Sequence, residues 1–271
     1  MTRRGHRGAV RPAVRPVAGR HGRAARQRLS DASAAALRGG IPAPASIRAS
    51  DRNGFSDLVL DRGGVARRGL LYLSGKDGWG EAFSLKLALL YLADAGLEPA
   101  ADAQGFLRLG RVSLGPLDGT VGGYARLDTR GYQILREFRP ATRLRAFPLR
   151  DLLEGKVLAA ALRGRIAVLG TAADSVKDPV ATPMNAVSEH LLPGVTLHGL
   201  FAAQLVAHGL EGLVPTRPLP RPVESPLIGL LVLLGAVAGV GVRQLWLLAV
   251  VSAGGTVLLF VTVHAAFLAG L

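Results

Sequence analysis

Two uncharged apolar runs at the C-terminal end restrict the fold of this chain more than any other feature. From Pro226 to Val242 the sequence reads PLIGLLVLLGAVAGVGV, and after Arg243 it continues QLWLLAVVSAGGTVLLFVTVHAAFLAGL through Leu271. A spanning helix needs roughly 17–25 apolar residues at ~1.5 Å rise, so the second run suffices with some tilt and the first meets the short limit. The pattern predicts a two-helix transmembrane hairpin over 226–271 that turns at Arg243 and Gln244. A buried hairpin in a soluble core would instead need a large apolar partner surface. His264 lies inside the second run, where an ionisable group is costly unless paired or near the interface. Its position close to the chain end places it at the interface.

Charge collects at the opposite end. Residues 1–40 hold ten arginines against one acid, Asp31, which is most of the formal net charge of +14 carried by this 271-residue chain. Such an arm can meet phosphates, yet it lacks interleaved aromatics, heptads and a recognition-helix pattern. The sequence therefore predicts no nucleic-acid partner, and an arginine-arm binder of anionic lipid or nucleic acid stays an alternative resting on charge alone. Arginine, glycine, alanine and proline without a lysine are what a GC-rich gene gives when read from a wrong start or in a shifted frame. The expectation for 1–40 is a disordered or mis-framed segment. No apolar stretch follows Arg3 and Arg4, so no secretion signal is recognised. The absence of cysteine excludes disulfides, thiolate metal sites and thiol nucleophiles. Hydrophobic residues at 49% exclude wholesale disorder.

Between these ends the sequence reads as a globular domain over 41–214 and a proline-rich linker over 215–225, stiff enough to hold the domain off a membrane. Leu58–Leu60 and Gly69–Ser74 read as strands around the Asp61–Gly64 turn. Ala82–Ala95 is apolar on most faces and stops at Gly96, which predicts a largely buried helix. The glycine-dense stretch 105–123 offers weak strands at best. Tyr124–Leu127 and Tyr132–Phe138 read as a second hairpin about Asp128–Gly131. Pro148–Leu153 and Leu158–Leu162 read as brief helices. Arg165–Gly170 reads as a buried central strand, Gly194–Leu197 as a further strand and His198–Gly209 as a helix. The predicted class is α/β, a mixed sheet flanked by helices, followed by the membrane hairpin.

Candidate chemistry gathers after Arg165–Gly170, because open α/β sheets place ligands beyond the carboxyl ends of their strands. There Thr171, Asp174, Ser175, Lys177, Asp178 and Thr182 offer groups for a cation or a polar ligand, although Asp and Thr beside prolines also cap turns. Gly75-Lys76-Asp77-Gly78-Trp79-Gly80 follows neither phosphate-loop spacing, and a flexible connection explains it better. His190, His198 and His208 are too scattered for a helix-borne zinc pair. Ser84 lacks a G-x-S-x-G setting, so no hydrolase triad is supported. A membrane-bound metal-dependent hydrolase built on Asp174, Asp178 and His198 is the enzyme alternative.

Taken in order, these landmarks resemble a CHASE sensor domain of the second type, the extracytoplasmic input module of bacterial receptor kinases and nucleotide cyclases. The likeness rests on Asp61, Gly64-Val65 and Arg67-Arg68 in the first hairpin; Ser84-Leu85 and Leu87-Ala88 in the helix; and Asp128 and Gly131. It continues through Asp151-Leu152-Leu153 with Gly155-Lys156, Leu162-Arg163-Gly164-Arg165-Ile166, Val168 and Gly170, Asp178 with Thr182-Pro183, and Pro193-Gly194-Val195 with Leu197-His198. The arginine-rich segment stands where the family carries a membrane helix and further sheet and helix, so the resemblance implies an incomplete sensor domain. It further implies a non-catalytic module without cofactor that senses an unidentified small molecule, for which Thr171, Asp174, Asp178, Thr182 and His198 are the candidate contacts read from the sequence. The implied partners are the lipid bilayer, a kinase or cyclase output domain on a separate or missing segment, and a second copy in a homodimer. Arg217 and Arg221 against Arg243 lean toward a cytoplasmic domain, but long domains translocate largely regardless of charge. The expected location is the inner membrane, multi-pass, with the domain outside.

Overall fold

A computed structural model of the chain describes residues 46, 53–61, 63–75, 78–117, 131–138, 144–173, 179–186, 191–218, 221–241 and 244–268. The arginine-rich segment 1–40 and the expected strand Tyr124–Leu127 lie outside the described residues. The fold is mixed α/β with small antiparallel sheets, followed by two apolar helices.

Strand β1, Arg68–Gly75, is the middle of a three-stranded sheet between β2, Gly78–Glu81, and β6, Tyr132–Leu135. Both neighbours run antiparallel to it, with Tyr72 opposite Glu81 on one side and Arg68 opposite Leu135 on the other. Gly75 pairs with Gly78, so Gly78–Gly80, read above as part of a flexible connection, belongs to the return strand β2. Helix α1, Phe83–Asp94, follows directly. Gly96 ends it at φ 77°, the left-handed turn its sequence position predicts.

A second antiparallel sheet consists of β3, Ala100–Ala101, β4, Leu107–Leu109, and β5, Val112–Leu114. Its Leu107, Leu109, Val112 and Leu114 point inward and are buried, so the glycine-dense stretch contributes more core than its composition suggests. Tyr132 ties this sheet to β6, because its hydroxyl accepts from the Leu107 N–H at 2.9 Å and donates to the Leu114 carbonyl.

Two short helices, α2, Leu149–Leu153, and α3, Ala159–Leu162, form where expected. The segment after them does not. Arg165–Gly170 is neither a strand nor central: it makes no ladder, and Leu169 is 76% exposed. A compact apolar run becomes a buried strand only when neighbouring strands flank it, and β1 already has both of its edges occupied. Strands β7, Pro179–Val180, and β8, Leu192–Pro193, pair antiparallel. Helix α4 then starts at Gly194 and runs to Leu210, absorbing the strand expected at Gly194–Leu197. Pro193 in its extended conformation supplies the start.

The core lies between α1, α4 and the two three-stranded sheets, and it joins Leu71, Leu85, Leu92, Leu114, Tyr132, Ile134, Phe201 and Leu205. Phe201 lies where a side chain at Gly69 would sit, so glycine there lets α4 approach the middle strand. Helices α5, Arg221–Gly241, and α6, Leu245–Leu268, form the C-terminal pair. Their apolar spans, Pro222–Gly241 and Leu245–Ala265, have mean hydropathies of 2.0 and 2.2, and the rest of the protein covers neither.

Candidate functional site

The hairpin at Asp61 binds its residues into one unit. Gly64 takes φ 72°, which closes the turn with its N–H on the Asp61 carbonyl at 2.8 Å. The Asp61 carboxylate then holds Arg67 at 3.0 Å and Arg68 at 2.8 Å. Arg68 is 2% exposed, and its guanidinium also donates to the Gln133 side chain in β6 at 2.8 Å. A buried cation needs an opposite charge and filled hydrogen bonds, so these side chains fix the first hairpin to the sheet.

His198 projects from α4 toward α1. Its Nε2 lies 3.2 Å from the Ser56 carbonyl, which can only accept, so Nε2 carries the proton. Its Nδ1 then accepts from the Ser84 hydroxyl at 2.9 Å, and the Phe83 ring meets the imidazole edge-on. Ser84 is 1% exposed and His198 8%. A serine nucleophile needs an open face for an acyl substrate and a base positioned to receive its proton. Ser84 has no such face, so the pair works as a polar bridge between two core helices.

Thr182 is also buried, beside Ala181, whose carbonyl accepts from the Ala66 N–H at 2.8 Å just before β1. Thr171 is exposed in an irregular segment. Asp174, Ser175, Lys177, Asp178 and His190 lie outside the described residues. His198 bonds to Ser84 in α1 and to Ser56, and Thr182 follows Ala181, which bridges Val65 just before β1. Among the described residues, no group of three or more His, Asp or Glu side chains is arranged to hold a metal ion.

The sequence reading missed the polar network around the C-terminal half of α4. Gln204 accepts from the Glu137 N–H and donates to the Leu135 carbonyl, both at 3.0 Å, which ties α4 to the end of β6. It also lies 3.3 Å from His208 Nε2, while His208 Nδ1 lies 2.6 Å from the Leu213 carbonyl. One tautomer satisfies both contacts, with the proton on Nδ1 and Nε2 accepting from the Gln204 amide. The Glu137 carboxylate accepts from the Thr216 N–H at 2.9 Å, and Arg217 donates to the Ser113 carbonyl at 2.7 Å. Pro215 is buried among these contacts. The start of the linker is therefore latched onto the domain instead of standing away from it.

Arg136 completes this end of the sheet. It donates to the carbonyls of Arg68 at 3.0 Å and Leu197 at 3.1 Å and stacks 4.5 Å over the Phe201 ring. Burial lowers its pKa to about 10.

A family model, the CHASE2 domain, matches residues 9–241, from within the arginine-rich segment to the end of α5. No curated protein and no solved structure matches the chain.

Proposed function

The chain belongs to the CHASE2 domain family of extracytoplasmic sensor domains, and on that premise we propose that it is the membrane-anchored sensory module of a bacterial signalling receptor, without catalysis of its own. In this reading residues 41–214 sense, 215–225 connect and 226–271 anchor the module in the inner membrane with the domain outside. The observation that carries it is the latch. The Thr216 and Arg217 backbone and side-chain contacts bind the linker to Glu137 and Ser113 only a few residues before α5 begins at Arg221. A shift of α4 or β6 is thereby passed to the first apolar helix through fixed hydrogen bonds, not lost in a loose chain. A kinase or cyclase segment receiving that motion, and a homodimer relaying it, complete the proposal.

The small-molecule site is proposed around Thr171, Asp174, Asp178, Thr182 and His198. A ligand that binds only the folded state raises the melting temperature according to its concentration over Kd. Screening the full chain in nanodiscs against small carboxylates, sugars and nucleotides should yield a stabilising class, and Asp178→Ala should abolish that stabilisation. Unchanged stabilisation in the variant removes Asp178 from the site. Turnover of any screened compound contradicts the non-catalytic reading.

A further inference from the structure

We infer that residues 144–169 form a membrane-contact surface, which lays exposed leucines and Phe147 against an anionic lipid interface while neighbouring arginines meet the phosphates. The inference rests on the membrane anchoring proposed above. Its first support is burial. Neither α2 nor α3 contains a buried residue, and Leu152, Phe147, Leu149, Leu158 and Leu153 are exposed by 43% to 77%. The segment touches the helix layer at few points, among them the Tyr91 hydroxyl on the Gly164 carbonyl at 3.2 Å and Leu144 beside Gly199. So much apolar side chain in one stretch of a globular surface marks a contact site.

The charge around it selects the partner. Both acids of the segment, Asp151 and Glu154, are taken by Lys156, at 3.9 and 2.6 Å. Arg145, Arg150, Arg163 and Arg165 are exposed and have no carboxylate partner among the described residues. An open cleft of about 270 Å³ runs between Arg145, Phe147, Lys156 and Leu158. Leucine and phenylalanine set among arginines is the composition of segments that lie in a lipid interface. A second copy packed symmetrically on this face would oppose these four arginines with the same four. The arginine-rich residues 1–40 would likewise bring like charge.

Tether length keeps the domain close to the bilayer. Arg217 is fixed to Ser113, and five residues later the apolar span begins at Pro222. Fully extended, five residues cover at most about 18 Å, so the latched edge of the domain stays beside the bilayer.

The chain has no cysteine, so one introduced residue carries a unique fluorescent label. The full chain is reconstituted into phosphatidylcholine–phosphatidylglycerol vesicles with brominated acyl chains, bearing the label at Leu153→Cys, at Leu158→Cys or, as a membrane control, at Val251→Cys in α6. Labels at 153 and 158 should each lose on the order of half their emission, as expected for groups sunk ~5–10 Å into the headgroup and acyl boundary. Arg150→Glu with Arg163→Glu should restore most of it. Quenching at 251 without quenching at 153 and 158 overturns the contact surface and leaves the anchoring intact. No quenching at 251 overturns the anchoring and the surface with it. Self-quenching between labels at 153 that rises with protein-to-lipid ratio assigns the face to a second copy and overturns the lipid assignment.

Discussion

The helix pairs α1–α4 and α5–α6 are built from similar apolar side chains, yet they end in opposite surroundings. Helices α1 and α4 contain 12 and 17 residues and sink against the sheets, with Leu85, Leu92, Leu197 and Leu205 all but inaccessible. Helices α5 and α6 contain 21 and 24 residues, and the protein covers none of their apolar spans. Length is one difference, since about 20 residues are needed to span a bilayer and only the second pair reaches that. Polar groups are the other. Ser84 and His198 bond across α1 and α4, and Gln204 and His208 bond from α4 to β6 and to the Leu213 carbonyl beyond the helix. In α6 the hydroxyls of Thr256 and Thr262 bond the carbonyls of Ser252 and Leu258 four residues back in the same helix, at 2.9 and 2.8 Å. A helix that must find its partners in other elements specifies a fold. One that satisfies its backbone and side chains internally can live in lipid.

The sharpest way to break this contrast is to cut a large side chain from each pair. Phe201→Ala removes a ring that is 2% exposed against Gly69 and Arg136, and it should cost about 3–5 kcal/mol in chemical unfolding of the domain. Leu259→Ala in α6 removes a side chain that is 39% exposed and faces no protein core, so the same denaturation midpoint should barely move. Equal losses would mean that α6 packs as a core helix. A smaller effect is expected from hydroxyls. Ser84→Ala strips a buried acceptor of its donor and should cost about 1–3 kcal/mol, whereas Thr256→Ala removes only a local bond and should lie within experimental error.

The smallest expected effect is a pH dependence confined to the globular side. Burial alone would raise the pKa of Asp102, but the Ser113 hydroxyl and the N–H groups of Phe106, Gln104 and Gly105 outweigh it and hold the carboxyl below its usual value of 3.8. A depressed carboxylate pKa contributes stability that is fully present above the unfolded value and is lost as pH falls through the folded one. Denaturation midpoints should therefore decline below about pH 4, and Asp102→Asn should flatten part of that decline. A variant with an unchanged acid limb would contradict the role given to Asp102.

Much of this contrast was legible in the sequence. Helix α1, the body of α4 and the apolar pair announce themselves through length, apolar content and glycine stops, and the Asp61 hairpin through its turn residues. Two errors share one cause. Leu107–Leu109 and Val112–Leu114 are too short for their alternation to stand out among glycines, yet they line the core. Arg165–Gly170 has the composition of a buried strand but joins no ladder and stays exposed at Leu169. Whether a short apolar run is buried depends on neighbours distant in the chain, which local pattern does not encode. The polar contacts were hidden for the same reason. Ser84 and His198 are 114 residues apart, and Glu137 meets Thr216 across 79. Nothing near His198 in sequence announces its bond to Ser84.

The central claim, a sensory domain outside the membrane anchored by α5 and α6, is tested most directly by labelling intact cells that express the full chain. Asp94→Cys places a thiol at the exposed end of α1, and Val251→Cys places one within α6. A membrane-impermeant maleimide should modify position 94 in intact cells and leave position 251 unmodified until detergent is added. Labelling at 94 only after lysis would put the domain in the cytoplasm, and ready labelling at 251 in intact membranes would remove α6 from the bilayer.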